Sequence, residues 1–510
     1  MTRSLVDSRY ISNVLGMLRE YRRFFLWTAL AGLALRMFFF VYVPSVTDDS
    51  RVYIDLATNW LQHGVYGQTQ SGQIVAIDTR LPGYPAFLAG IFWAFGMGNI
   101  RAVLIAQVVL DLVTCIVIAD LARRTVASRT ASRVAFALAA TCPFLANYAT
   151  AALTETLEIF FTTVALDCVV AGLDSIENPI RTATTGWAYW TAAGAAIGAC
   201  ILLRPDGGIL LAAVGIGLAF AMLSRRGNPL ISPQRAKTAQ AGDPDAKSAM
   251  SCTPAGGAPE RRSMALAGIV IAALALAPLV PWTIRNFRTL HHFEPLAPRY
   301  ANEPEELTPW GFNRWVKTWM AEYVSVEDIY WNVPGDSIDA AKLPARALDD
   351  PGRNATLAAI ADYNQSQELT PESDARFAAL AAERIRSHPV RYYIELPVLR
   401  VADMWLRPRT ELLAADPRWW EFNDERRESA LAVGFGVLNL IYVAAALLAV
   451  ARGRPRLRYL GLMAAFLLLR SVFLGTIENP EPRYTLECYP VLLVWAAACL
   501  GNELERRMGR

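Results

Sequence analysis

Some ten stretches of this 510-residue chain are apolar enough and long enough to cross a lipid bilayer, and that repetition limits its fold more than any other feature. A spanning helix needs about 20 largely apolar residues. The stretches are 24–43, 101–121, 134–150, 151–172, 187–203, 207–223, 264–281, 430–450, 458–475 and 486–502. Hydrocarbon offers no partner to a free N–H or C=O, so each must satisfy its backbone internally, as a helix does. The expected fold class is therefore an all-α polytopic membrane protein of about ten transmembrane helices, with juxtamembrane helices and a small, mostly helical region outside the bilayer. Composition agrees: 54% of residues are hydrophobic and 19% charged, against about 25% charged in soluble domains. A net charge of +3 with no base-reading motif argues against a nucleic-acid partner. Seven cysteines occur without any CxxC or Cys/His zinc spacing, so neither a disulfide framework nor a zinc site is expected. The run 24–43 follows a basic segment, has no small-residue cleavage site after it, and reads as a retained first span.

Arginine placement orients the bundle, because basic residues concentrate in cytoplasmic loops. If 84–98 lies at the interface or re-enters rather than crossing, the clusters around Arg22–Arg23, Arg123–Arg133, Arg225–Arg262, Arg452–Arg458 and Arg506–Arg510 all fall on one side. Both termini are then cytoplasmic. This divides the chain into an N-terminal transmembrane catalytic module, 1–281, a periplasmic domain, 282–429, and C-terminal transmembrane helices, 430–510. Within the first module, 44–100 is the first outer loop and 224–263 a Pro-, Gly-, Ser- and Ala-rich cytoplasmic linker that cannot bury enough apolar surface to order. The outer segment carries Trp310, Trp315, Trp319, Trp331, Trp405, Trp419 and Trp420 among many charges, which suits a domain lying on the membrane surface. Within it, 372–388 and 390–406 read as helices, the second interfacial.

On the outer side the sequence gathers charges at bilayer depth, where such groups are costly and usually pair or serve a site. They are Asp48 and Asp49 in VTDDSRVYIDLA, Arg80 in RLPGYP, Glu155 in LTETLEIFF, Arg204 and Asp206 in RPDG, Arg285 in PWTIRN, and Glu478, Glu481, Arg483 and Tyr484 in IENPEPRYTLECYP. Arginine forks suit phosphate; a carboxylate suits proton abstraction from an acceptor hydroxyl or stabilisation of an oxocarbenium-like centre. A lipid-linked sugar phosphate would use both. Each group also has a plainer reading: Asp48-Asp49 as a solvated helix end, Glu155 as an N-terminal capping acid, Arg204 and Arg285 as helix-end anchors, RLPGYP as a turn. From the residues alone, transporter and enzyme both stand.

The order of these motifs resembles the C-type membrane glycosyltransferases that use polyprenyl-phosphate sugars, in particular protein O-mannosyltransferases and lipid A aminoarabinose transferases. The likeness covers most of the chain and only loosely 282–429. It implies a hallmark acid four residues before a tyrosine, which matches Asp49 and Tyr53, with Asp48 beside it; where relatives often carry a second acid after the first, this chain has Ser50. It further implies that Arg80 with Pro82 lies near the lipid phosphate, that Thr154-Glu155 stands at the outer end of the fourth span, and that Arg483-Tyr484 is the late arginine–tyrosine pair.

The resulting expectation is a sugar transferase of a bacterial inner membrane with its site facing the periplasm. Asp49, with Asp48, would be the catalytic base; Arg80, Arg285, Arg483 and Tyr484 would bind the donor phosphate; Tyr53, Glu155, Arg204 and Asp206 would line the cavity. Its partners would be a polyprenyl-phosphate sugar donor, membrane lipid, and a glycan, lipid or protein acceptor. The resemblance implies a reaction often run without an essential metal, yet hard oxygen ligands at Asp48 and Asp49 could hold a divalent cation. The alternative is a flippase or transporter of lipid-linked sugars. That reading expects Asp111, Asp167 and Arg470, ionisable groups inside spans, to form one shared inward stripe.

Overall fold

The computed structural model describes residues 14, 16–126, 128–177, 186–224, 258–300, 306–349, 352–422, 426–453 and 457–508. Most of the linker expected at 224–263 lies outside these. Among the described residues, eight helices are long and apolar enough to cross a membrane: Arg22–Tyr42, Ile100–Thr125, Glu155–Ile176, Gly186–Leu203, Pro205–Leu223, Arg261–Leu290, Arg426–Arg452 and Pro482–Arg507. Two of the ten expected spans are shorter, Thr130–Ala140 and Leu460–Gly475. Only one two-stranded antiparallel hairpin, Gly67–Gln70 with Gln73–Ala76, stands among the described residues.

The interruptions have local causes. The stretch expected as one span at 134–150 is a helix Arg129–Ala140, a break, and a short buried helix Pro143–Tyr148. Pro143 has no N–H to give and crowds the carbonyl four residues back, so the ladder stops before it. The freed carbonyl of Ala140 is met from the first span by Arg36, whose guanidinium donates to it at 2.6 Å and reaches Ala139 O at 3.5 Å. The same guanidinium holds Asp111 at 2.5 Å. A fully buried arginine is thus accounted for by one carboxylate and the carbonyls of a broken helix. Pro278 likewise divides the helix at 258–276 from Leu279–Leu290. Between the last two spans the chain turns back in through 476–481 and a 3-10 segment Pro482–Cys488, which carries Glu481, Arg483 and Tyr484 inward.

The run 83–95 is one helix, Gly83–Phe95, too short to be counted among the spanning helices, with Trp93 and Phe95 exposed. The segment 306–422 builds its own apolar core from Phe312, Trp315, Trp319, Tyr363 and Phe377. Two of the tryptophans expected at the membrane surface are thus core residues instead. Helices Trp310–Val316 and Pro371–Ser387 cross closely because position 311 is glycine: a Cβ there would lie 1.9 Å from the carbonyl oxygen of Asp374. The Asp374 carboxylate accepts from the Gly311 and Phe312 N–H groups, which the short helix leaves unpaired. Helix Leu396–Leu406 buries Leu396, Arg400 and Met404 and, with the turn before it, exposes Tyr393, Ile394, Val398 and Leu399. The helix thus has one face packed on the protein and one apolar face turned outward.

Candidate functional site

The site is built first by a helix start. Thr47 caps helix Asp48–His63 through a capping box with Ser50, and the two aspartates occupy the first turn, where the helix dipole favours anions. Ser50 closes the cap: its hydroxyl accepts from the Thr47 N–H and its own N–H donates to the Thr47 hydroxyl. Successive residues of a helix point about 100° apart, so the aspartates diverge. Asp48 faces solvent with its side chain 96% exposed and pairs only with Arg51. Asp49 faces inward, taking Arg80 at 3.1 Å on one oxygen and Arg483 at 3.2 Å on the other.

Arg80 is set by the RLPGYP turn. Its carbonyl accepts from the Tyr66 hydroxyl at 2.9 Å. At Gly83 the backbone approaches that of Leu202 so closely that a Cβ would lie 2.5 Å from the carbonyl oxygen. That contact ties Arg80 to the end of helix Gly186–Leu203 and hence to Arg204. Tyr53, one turn after Asp49, lines the cavity and meets the Tyr84 ring edge-on at 5.1 Å.

Beneath Asp49 lies a buried network. Arg483 reaches Glu481 at 2.6 Å and Glu155 at 3.8 Å. Arg204 reaches Asp206 at 3.2 Å, Glu158 at 3.7 Å and Glu155 at 3.8 Å, and covers the Tyr484 ring at 4.7 Å. Arg470 holds Glu487 at 2.8 Å and Asp206 at 3.1 Å, and donates to the Tyr484 carbonyl at 2.9 Å. The Tyr484 hydroxyl donates a hydrogen bond to the Glu481 carboxylate. Groups from five distant parts of the chain thus share one interior.

Asp49, Glu155, Arg204, Asp206, Glu481, Arg483 and Tyr484 face a cavity of about 600 Å³, bounded also by Ala297–Tyr300, Tyr330 and Trp331 and by Phe473–Asn479. Burial alone would push the Asp49 carboxyl up, but the Arg483 and Arg80 guanidiniums outweigh it and hold it below the usual carboxylate range. Burial pushes the Tyr53 phenol up to about 12. Asp49 is thus an anion at neutral pH, masked on both oxygens.

Of the expected site residues, Asp49, Tyr53, Arg80, Glu155, Arg204, Asp206, Arg483 and Tyr484 line this cavity together. Two do not. Asp48 points away, so the two aspartates cannot share a cation. No cluster of three or more His, Cys, Asp or Glu suited to a metal occurs among the described residues. Arg285 sits outside the cavity: it donates to the Ile77 carbonyl at 2.7 Å and to that of Tyr66, and lies over the Tyr66 and Trp282 rings. Its place is to brace the hairpin loop, where carbonyls rather than phosphate satisfy its fork.

Sequence reading missed Glu158, Arg470 and Glu487 as members of the network. A signal existed: Glu158 follows Glu155 by three and Glu487 follows Arg483 by four, spacings that share a face when helical. Asp111, Asp167 and Arg470 do not form one stripe. Asp111 pairs with Arg36, Asp167 with Arg124, and Arg470 with the network under the cavity.

The fold is similar to that of solved membrane oligosaccharyltransferases. The oligosaccharyltransferase AglB of Archaeoglobus fulgidus, solved with an inhibitory peptide and a dolichol-phosphate, superposes over 96% of this chain with a TM-score of 0.50 at 13% identity. The same enzyme tethered to an acceptor peptide gives 0.51. The chain spans about half the length of that protein, 51%. ArnT of Cupriavidus metallidurans covers 95% of this chain and is itself 77% covered, at 16% identity, with a TM-score of 0.37. More particularly, residues 80–234 match the family of dolichyl-phosphate-mannose–protein mannosyltransferases. Comparison with curated protein sequences finds no match.

Proposed function

We propose that this chain is a glycosyltransferase. It moves a sugar from a polyprenyl-phosphate-linked monosaccharide to an acceptor at the periplasmic face of a bacterial cytoplasmic membrane. The observation that carries the reading is Asp49 held between Arg80 and Arg483 on the wall of a cavity, in a chain of this fold.

The acceptor oxygen attacks the anomeric carbon of the donor as the bond from that carbon to the phosphate oxygen breaks. Polyprenyl phosphate leaves, and Asp49 takes the acceptor hydroxyl proton. Arg80 and Arg483 neutralise the charge that grows on the leaving phosphate. Because the phosphate and Asp49 compete for these guanidiniums, donor binding frees the carboxylate and raises its basicity where it is needed. Before the donor arrives, the masked anion is a poor base. Tyr53, Glu155, Arg204 and Asp206 shape the sugar pocket.

The test is transfer of label from radiolabelled polyprenyl-phosphate hexoses and pentoses by purified protein to extracted envelope fractions. Asp49→Asn should abolish transfer while membrane insertion persists; full activity in that variant removes the base assignment. The flippase reading needs a polar path through the bilayer, and the separate partners of Asp111, Asp167 and Arg470 count against it.

A further inference from the structure

We propose that the acceptor is a neutral carbohydrate, stacked on Tyr330 and Trp331 and hydrogen-bonded by Glu478 at the outer part of the cavity. This rests on the glycosyltransferase reading above and names the substrate class that reading leaves open. A sugar ring presents a face of C–H bonds that packs on an aromatic ring, and an edge of hydroxyls that donate to carboxylates. A site for it therefore needs an open aromatic surface beside an unsaturated acceptor oxygen. The outer wall offers both.

Tyr330 ends a π-helical turn, Val326–Tyr330, with Trp331 directly after it; such turns insert a residue and are frequent at functional sites. Trp331 lines the cavity yet is 48% exposed, whereas Trp315 and Trp319 of the same segment are fully buried. Tyr323 meets it edge-on at 5.7 Å, and Tyr330 is held by a near-parallel Phe312 ring at 6.4 Å. Both rings are thus fixed from behind and border the open cavity. An amphipathic ring left open at a pocket wall is a common device of recognition.

The carboxylate is Glu478, whose side chain is only 7% exposed. One oxygen, Oε1, receives every partner found among the described residues: Arg299 at 2.6 Å, the Tyr300 hydroxyl at 3.0 Å and Lys317 at 3.6 Å. The other, Oε2, is left to a ligand hydroxyl. A buried carboxylate fixed by two cations and a phenol on one oxygen is a rigid acceptor, since its rotamer is already chosen.

Charge decides against an anionic acceptor. Among the described lining residues, five carboxylates stand against four guanidiniums, and each guanidinium is already ion-paired. Arg80 and Arg483 are committed to the donor phosphate. A second phosphate would have to break the Glu478–Arg299 pair and would face Glu478 itself. A neutral polyol needs neither. The cavity volume of about 600 Å³ falls within the range of small-molecule pockets and exceeds the needs of a single sugar ring.

The experiment prints neutral glycans, a phosphorylated glucosamine disaccharide and Ser/Thr peptides on one array and probes it with the full-length protein in nanodiscs. In parallel, binding of undecaprenyl phosphate is measured to report on the donor reading. Wild-type protein should be retained by neutral glycans; Trp331→Ala and Glu478→Gln should each weaken that retention at least tenfold, and Trp331→Phe should restore most of it. The rescue separates stacking from misfolding. Preference for the peptides or the phosphorylated disaccharide, or equal glycan binding by Trp331→Ala and wild type, overturns the inference. Loss of undecaprenyl phosphate binding with glycan binding intact instead overturns the donor reading.

Discussion

Replacing Arg470 with methionine tests whether the buried network under the cavity is a single charge-compensated unit. Arg470 sits within a helix of the bundle, its side chain 2% exposed, and faces Glu487 at 2.8 Å, Asp206 at 3.1 Å and Glu158 at 3.9 Å. It also donates to the carbonyl of Tyr484, next to Arg483. Methionine keeps much of the volume and removes the charge. Breaking a buried pair by deleting one partner costs about 3–5 kcal/mol, because the remaining charge is left uncompensated, a large part of the roughly 5–15 kcal/mol that holds a domain together. Here carboxylates on three elements lose the same counter-charge, so the upper end of that range applies.

The assay is thermal unfolding in detergent, followed by a thiol-reactive dye. The chain supplies its own reporters, since five of the six described cysteines are buried and all six are free. Arg470→Met should expose them at a temperature lower by many degrees. Adding Glu487→Gln removes one of the stranded charges and should recover part of the loss, so the two changes will not be additive. An unchanged unfolding temperature in Arg470→Met, or strictly additive effects in the double variant, refutes the reasoning.

Three further outcomes are expected. Asp48→Asn should keep transfer within about threefold of wild type, since an exposed i,i+3 pair contributes only about 0–1 kcal/mol; a loss comparable to that of Asp49→Asn would return Asp48 to the site. Gly83→Ala should reduce transfer sharply, because the added carbon meets the backbone of Leu202 at 2.5 Å, and relieving it displaces the turn that aims Arg80; overpacking of this kind costs about 1–3 kcal/mol. His292 donates its Nε2–H to the Asp78 carboxylate at 2.6 Å, and that hydrogen bond raises its folded pKa. A raised histidine stabilises fully below its unfolded value, about 6.5, and loses the contribution as pH rises through the folded value. The unfolding temperature of His292→Ala should therefore trail wild type at pH 6 and converge with it at alkaline pH, a gap that widened instead would reverse the assignment.

What the sequence by itself determined is what hydrocarbon and periodicity enforce. A bilayer admits few structures, so the apolar runs announced the helices; two read as full spans came out short, 134–150 broken at Pro143 and 458–475 helical only over Leu460–Gly475. Sidedness of charge was enough to gather Asp49, Arg80, Glu155, Arg204 and Arg483 into one set, because groups at a common depth have few partners available to them. Only the tertiary structure decided how individual side chains turn. Asp48 and Asp49 are neighbours in sequence, yet a 100° step of the helix sends one to solvent and the other to two arginines. Arg285 has the composition of a phosphate ligand, but two carbonyls of a loop more than two hundred residues away satisfy it. Glu487 and Arg470 look like unremarkable polar insertions until packing brings them to Asp206 and Glu158. Direction and partnership are properties of the packed bundle, and a linear pattern that records depth does not record them.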